Sequence, residues 1–124
     1  MSYVVTSKIK EYINGKGMMS SGDLSDHASK MLEWVLAQGV ERAKANGRKT
    51  VRGEDLAVIA KPSDTGYVVA SAVKTYVNGK DMMSSGDLAQ FANGMMEWML
   101  GQATHRAQAN GRKTVRGEDL AFMA

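Results

Sequence analysis

The sequence consists of two similar halves, and this internal repeat limits the possible folds more than any other feature. Residues 3–60 align with residues 67–124 at a constant offset of 64 without a gap, and 38 of the 58 aligned residues are identical. A solenoid generally needs three or more repeats to bury its faces, whereas two repeats can only bury them against each other. Two copies therefore predict a closed pair, comparable to a homodimer fused into one chain.

The repeat also predicts the domain boundaries. Copy one spans residues 1–60, a linker spans 61–66, and copy two spans 67–124. The linker contains the only proline of the chain together with Ser, Asp and Gly, all of which disfavour the continuation of a helix or strand. A copy of this size lies near the lower limit for independent folding. We therefore expect each copy to need the other to cover its apolar surface.

Each copy is predicted to contain a short, a long and a short helix. In copy one the apolar spacing predicts a first helix ending near Asn14 and a helix of roughly 25 residues from about Gly22 to Asn46. Asp23 and the serines before it provide capping groups for the long helix, and Asn46-Gly47 predicts its end. An extended loop over 48–51 then precedes a short helix over 54–60. The predicted fold class is all-α.

The methionines of the two copies are expected to be ordinary core residues. The alternative is a flexible methionine surface that grips a ligand. The residues concerned are Met18, Met19, Met82, Met83, Met95, Met96 and Met99.

Composition excludes several classes of function. The chain has no cysteine, which excludes a disulfide framework, a thiolate nucleophile and thiolate-ligated metals. No apolar run reaches the roughly 20 residues that a membrane span needs, and no leader segment is recognisable, so we expect a cytoplasmic protein without a membrane partner. The histidines His27 and His105 align with Phe91 and Glu41, so neither recurs. We predict no enzymatic activity, no metal and no cofactor.

The segment after each long helix resembles the corresponding segment of archaeal histones. In copy one it reads Ala45-Asn46-Gly47-Arg48-Lys49-Thr50-Val51-Arg52-Gly53-Glu54-Asp55-Leu56. The pattern Arg-x-Thr-x-x-x-x-Asp of that family occurs at Arg48, Thr50 and Asp55, and again at Arg112, Thr114 and Asp119. Two such segments, each between a long helix and a short one, make the match specific. The sequence is similar to a tailless prokaryotic histone doublet, of archaeal or bacterial type, that forms a pseudodimer within one chain.

The resemblance implies two histone folds in tandem, joined in an intramolecular handshake with their long helices crossing. The first loop of each copy would lie beside the second loop of the other, with 15–21 beside 112–115 and 79–85 beside 48–51. Each pairing would present backbone N–H groups, a threonine hydroxyl and basic side chains, which are donors to phosphate oxygens and do not read base identity. The implied function is nonspecific binding of double-stranded DNA, with bending or compaction of DNA in the nucleoid.

The resemblance also assigns roles to individual residues. Lys49 and Lys113 would face phosphates, and Thr50 and Thr114 would donate hydrogen bonds to them. The other predicted DNA-binding residues of the loops are Lys16, Lys80, Arg48, Arg52, Arg112 and Arg116. A third site would form where the first helices converge, at Lys8, Lys10 and Lys74.

Two of these roles stay open. Arg48 and Arg112 bind either phosphate or, as structural pairs, the carboxylates of Asp55 and Asp119. Arg52 and Arg116 contact either the DNA backbone or only water.

The mode of assembly and the partner also have alternatives. Archaeal histones stack dimer on dimer at positions that correspond here to Arg42, Ala45, Arg106 and Ala109. Arginines brought together at such an interface repel one another, so we predict a monomeric pseudodimer without this stacking. The alternative function is a histone-fold scaffold for protein–protein interaction with little or no DNA binding. The net charge of only +3 is low for a protein that compacts DNA.

Overall fold

The structure is a computed structural model that describes residues 3–56 and 63–120. In the first half, the elements are α1 (Thr6–Gly15), β1 (Met19–Ser20), α2 (Leu24–Ala45), β2 (Thr50–Val51) and α3 (Gly53–Leu56). In the second half, they are α4 (Ala70–Gly79), β3 (Met83–Ser84), α5 (Leu88–Ala109), β4 (Thr114–Val115) and α6 (Gly117–Leu120). The two halves have the same order of elements. Residues 57–60 of the predicted last helix and residues 61–62 of the linker lie outside the described residues.

The long helices begin and end close to the predicted positions. The first of them starts two residues later and ends one residue earlier than the predicted span from Gly22 to Asn46. Gly47 has a φ of 70°, a left-handed conformation that glycine adopts without steric cost. The Arg48 N–H then donates to the Ala43 carbonyl at 2.9 Å and closes the helix end.

Two small parallel sheets connect the halves. β1 pairs with β4, which sets Met19 opposite Thr114 and Ser20 opposite Val115. The Met19 N–H donates to the Lys113 carbonyl at 2.8 Å. β2 pairs with β3 in the equivalent register. The first loop of each half therefore lies against the second loop of the other half.

A third connection lies just before the first helix of each half. Val4 and Val68 form an antiparallel bridge, and the Val5 N–H donates to the Tyr67 carbonyl at 2.7 Å. This bridge brings the beginnings of α1 and α4 together.

The core is continuous across both halves. α3 packs on α5 and α6 packs on α2, so the last helix of each half contacts the long helix of the other. Burial of one Leu or Ile side chain contributes about 1.5–3 kcal/mol, and the packing of these helices depends on both halves being present. Fully buried side chains include Ile9, Ile13, Leu32, Leu36, Leu56, Met96, Leu100 and Leu120.

The prediction that the methionines lie in the core is wrong for two of them. Met19 and Met83 are 66% and 65% exposed. Adjacent residues of a strand face opposite sides, so the burial of Met18 and Met82 turns the following methionines outward. The prediction agrees with the burial of the other five, which are Met18, Met82, Met95, Met96 and Met99.

Candidate nucleic-acid interface

The paired loops form two equivalent composite edges. We call residues 18–21 with 112–116 the first edge, and residues 82–85 with 48–52 the second edge. In the first edge Val115 is fully buried, so the neighbouring Thr114 faces outward. Met19, which is paired with Thr114, faces the same way. The second edge repeats this arrangement with Thr50 and Met83.

The strand pairing also orients the backbone of the two threonines. The Met19 N–H donates to the Lys113 carbonyl, and the Ser21 N–H donates to the Val115 carbonyl at 2.9 Å. Backbone groups of successive strand residues alternate in direction, so the N–H of Thr114, which lies between these two carbonyls, is directed away from β1. A hydroxyl and an N–H on one exposed edge are suitable donors to a phosphate oxygen.

Arg48 and Asp55 form a bidentate ion pair. The Arg48 guanidinium donates to the two Asp55 oxygens at 2.7 and 2.8 Å, and the Arg52 N–H donates to the same carboxylate at 2.8 Å. The hydrogen bonds from Arg48 lower the pKa of the Asp55 carboxyl below its ordinary value. A further bond from Arg48 to the Thr50 carbonyl at 3.4 Å means that this side chain braces the second loop onto α3.

The second half repeats this ion pair. Arg112 donates to the two Asp119 oxygens at 2.7 and 2.9 Å, and these hydrogen bonds lower the pKa of the Asp119 carboxyl. The sequence left two partners open for Arg48 and Arg112, either phosphate or a carboxylate. In the structure both guanidinium groups bind carboxylates.

Four other basic side chains are exposed beside the loops, namely Lys49, Arg52, Lys113 and Arg116. Arg52 contacts Glu54 at 3.3 Å and Arg116 contacts Glu118 at 3.2 Å, and all four of these side chains are more than half exposed. Exposed ion pairs contribute only about 0–1 kcal/mol. A phosphate can therefore replace either glutamate at little cost.

Lys16 and Lys80 lie outside the paired strands, at the ends of the first helices. Their ammonium groups are 5.3 and 5.5 Å from the ring centroids of Tyr12 and Tyr76. Tyr12 in turn makes an edge-to-face contact with Tyr67 of the other half at 6.1 Å. Burial raises the pKa of Tyr12. The two lysines thus flank the edges on an aromatic surface that connects the halves.

The third predicted group lies on α1 and α4, and all its lysines are exposed. Lys8 forms an ion pair with Glu11 at 3.5 Å. Lys74 lies with Ser84 and Gly86 around one surface depression, so it borders the second edge as well as the region where the helices begin. Lys10 occupies the equivalent position on α1.

Sequence reasoning missed the role of Asp23 and Asp87. Asp23 occupies the N-cap position of α2, but its side chain makes no capping hydrogen bond to that helix, so this part of the prediction is wrong. Instead, the Gly117 N–H of the other half donates to Asp23 at 3.1 Å, and the Gly53 N–H donates to Asp87 at 3.1 Å. Hydrogen bonds from Ser21 and then from Gly117 lower the pKa of Asp23. The available signal was that the aspartate and the glycine recur in both copies.

Neither a metal-ligand cluster nor a membrane-spanning helix is found in the part of the chain that the structure describes. Within residues 3–56 and 63–120, no group of three or more His, Asp or Glu residues is arranged to hold a metal ion. In the same ranges no helix combines the length and the apolar character needed to traverse a lipid bilayer.

Comparison with known proteins supports the fold. The structure is similar to the crystal structure of the histone from Methanopyrus kandleri, with a TM-score of 0.62 and 20% sequence identity. The similarity covers 94% of this chain and 90% of that chain. No family model matches the sequence, and no curated protein matches it. At this level of identity the similarity concerns the fold, and the chain has a mostly helical structure that resembles a histone fold.

Proposed function

We propose that this protein is a histone-like, sequence-nonspecific binder of double-stranded DNA. Its two copies, with boundaries at 1–60 and 67–124, act as an intramolecular handshake pseudodimer that holds the phosphate backbone along a cationic rim. This rim consists of the two edges together with the exposed lysines on α1 and α4 and at their ends. Binding at several points of one rim bends the duplex, and this compacts DNA in the nucleoid.

One observation carries the proposal. The strand pairs Met19–Thr114 and Thr50–Met83 bring together loops from opposite halves. This places an outward threonine, an exposed lysine and an exposed arginine on each of two equivalent edges. Donors of this kind, repeated on one surface, are suited to phosphates that repeat along a duplex.

The individual roles follow from exposure. Lys49 and Lys113 supply charge to the phosphates, and Thr50 and Thr114 donate hydrogen bonds to them. Arg52 and Arg116 exchange their glutamate partners for phosphate. The remaining contacts come from the helix lysines, which are Lys8, Lys10, Lys16, Lys74 and Lys80.

The proposed assembly state is a monomer without archaeal-style stacking. Arg42 donates to the Asp55 carbonyl at 2.7 Å, and Arg106 donates to the Asp119 carbonyl at 3.1 Å. These bonds keep a positive charge at the end of each long helix, and such ends repel when they are brought together. A regular ladder of protected fragments after nuclease digestion of the complex would contradict this part of the proposal.

The second candidate function is a scaffold that binds other proteins. The small net charge of +3 favours it, as does the pairing of two edge arginines with glutamates. The two functions differ in their response to salt, because binding to phosphates releases counterions and binding to a neutral protein surface does not.

Gel-shift titration of a short duplex at 50 and 200 mM salt tests the proposal. Contact with about six phosphates should weaken binding roughly a thousandfold between these concentrations. The double variant Lys49→Ala/Lys113→Ala, which removes about two of these contacts, should reduce that factor to roughly a hundredfold. The loss of affinity should be equal for unrelated DNA sequences.

A variant of equal charge loss provides the control. Lys30 and Lys44 lie on α2 and correspond to Gly94 and Gln108 in the other copy, so Lys30→Gly/Lys44→Gln is compatible with the fold. This control variant should change the salt dependence of DNA affinity less than Lys49→Ala/Lys113→Ala does. Absence of a shift at both salt concentrations would refute DNA binding and favour the scaffold.

A further inference from the structure

The two exposed methionines are the least expected feature of the surface. Met19 and Met83 are the large hydrophobic side chains left exposed among the described residues. They occupy the same position in the two copies. Exposure of an apolar side chain to water is unfavourable, and here it occurs twice, at equivalent places.

Each methionine shares a face with a predicted phosphate donor. Met19 is directly paired with Thr114, and Met83 with Thr50. Since paired residues of a parallel sheet project to the same side, each thioether side chain stands next to a threonine hydroxyl. A lysine precedes each threonine in the chain, Lys113 in the first edge and Lys49 in the second.

We propose that Met19 and Met83 are apolar wedges that enter the minor groove and partly unstack a base step at each edge. This inference rests on the proposed DNA binding and adds a contact to the bases. The phosphate donors would hold the duplex across each edge, and the methionine between them would meet the groove.

The chemistry of this surface favours DNA over a protein partner. A protein-binding methionine surface is typically a broad apolar patch, whereas each methionine here is paired with a threonine. The loop that carries this threonine also has an exposed lysine and an exposed arginine. A single apolar side chain next to a proposed phosphate-binding group matches the wedges by which architectural proteins kink DNA. Methionine is unbranched and flexible, so it can adapt to any base step without hydrogen-bonding to it.

The proposal predicts a preference for deformable steps. Steps of the type TA and CA unstack most easily, so duplexes rich in them should bind more tightly than duplexes of equal length that lack them. This preference concerns deformability, and it is compatible with phosphate contacts that ignore base identity.

The test uses a short duplex with 2-aminopurine beside TA steps and a fluorescent dye at each end. With the unmodified chain, we expect 2-aminopurine emission to rise because of unstacking, and energy transfer between the dyes to rise because of bending. The variant Met19→Gln/Met83→Gln should lose the 2-aminopurine signal, and its affinity should fall by about tenfold or more. It should lose only part of the energy transfer, because the phosphate contacts still bend the duplex. Met19→Leu/Met83→Leu, which retains an apolar wedge, should keep both signals.

The possible outcomes separate the two proposals. If the unmodified chain binds the duplex without a rise in 2-aminopurine emission, or if the glutamine variant gives the same rise, the wedges are refuted and phosphate binding stands. If the unmodified chain does not bind DNA at all, the proposed function fails, and the wedges fail with it. Thermal unfolding of the variants should match that of the unmodified chain, since both side chains are exposed.

Discussion

Replacement of Asp55 by alanine tests whether its ion pair with Arg48 holds the second loop in place. The Asp55 side chain is 4% exposed and accepts three hydrogen bonds, two from the Arg48 guanidinium and one from the Arg52 N–H. Asp55→Ala removes all three acceptors. It leaves the Arg48 guanidinium without its carboxylate, although water can partly hydrate that side chain because it is 21% exposed.

The expected cost follows from these contacts. Hydrogen bonds to charged groups contribute about 1.5–3 kcal/mol each when buried, and rehydration of Arg48 recovers part of that sum. We therefore expect Asp55→Ala to reduce the free energy of unfolding by about 2–4 kcal/mol. For a chain of this size, the corresponding decrease in Tm is about 6–15 °C.

The measurement is thermal unfolding at neutral pH followed by circular dichroism, with the adjacent carboxylate as a matched control. Glu54 is 67% exposed and contacts only an exposed arginine among the ion pairs given above, so Glu54→Ala should cost less than about 1 kcal/mol. A double-mutant cycle completes the experiment. If Asp55 and Arg48 act as a unit, adding Arg48→Met to Asp55→Ala should lower Tm little further.

The dependence on pH provides an independent readout. The pKa of Asp55 and of Asp119 is lowered in the folded protein, chiefly by hydrogen bonds from the paired arginine. A lowered folded-state pKa stabilises the protein above the unfolded-state value of about 3.9, and this stabilisation is lost as pH falls through the folded-state pKa. The double variant Asp55→Ala/Asp119→Ala should therefore lose less stability between pH 5 and about pH 2 than the unmodified chain.

One result would refute this reasoning. If Asp55→Ala unfolded at the same temperature as the unmodified chain, and Arg48→Met weakened DNA binding without lowering Tm, the ion pair would not brace the loop. Arg48 would then be a ligand for phosphate, which is the other role that its sequence position allows.

Two further substitutions test the packing and the backbone. Gly53→Ala should cost about 1–3 kcal/mol, because a Cβ there would lie 2.1 Å from the Phe91 ring of the other half. Scanning fluorimetry can compare it with Gly86→Ala, whose Cβ would meet nothing within 4 Å, and equal melting of the two variants would contradict the close contact between halves. Asp81→Gly should stabilise the chain by about 0.5–1 kcal/mol, because Asp81 has a φ of 61° where Gly17 has a φ of 75° in the first half. An unchanged or lower urea midpoint would show that Asp81 is not strained.

Features that depend on neighbouring residues could be predicted from the sequence. The span of the long helices follows from apolar spacing, and the turn at Gly47 follows from a glycine after an asparagine. Both features depend on interactions between residues that are close in the sequence, so they can be predicted without knowing how the other half packs. The mostly helical structure, which resembles a histone fold, agrees with these local predictions.

Features that depend on the contact between halves could not be predicted from local patterns. Met19 pairs with Thr114, and a strand of two residues contains no periodicity that would reveal which side chain faces outward. Asp23 follows the local pattern of a helix cap, yet it binds Gly117. In both cases the deciding contact joins residues far apart in the chain.

The distribution of identity between the copies connects the fold with the proposed function. The loop residues that form the two edges are identical, with 18–24 matching 82–88 and 45–56 matching 109–120, whereas 25–44 differs from 89–108 at 12 of 20 positions. Within one chain, each long helix always packs in the same surroundings, so the two long helices can differ in sequence as long as the common core is filled. The edges differ from the long helices in this respect, because each edge combines one loop from each half. Identical loops make both edges the same, and two equal edges suit a ligand that presents the same group at each of them. A phosphate backbone meets that condition, whereas a protein partner without internal repetition does not.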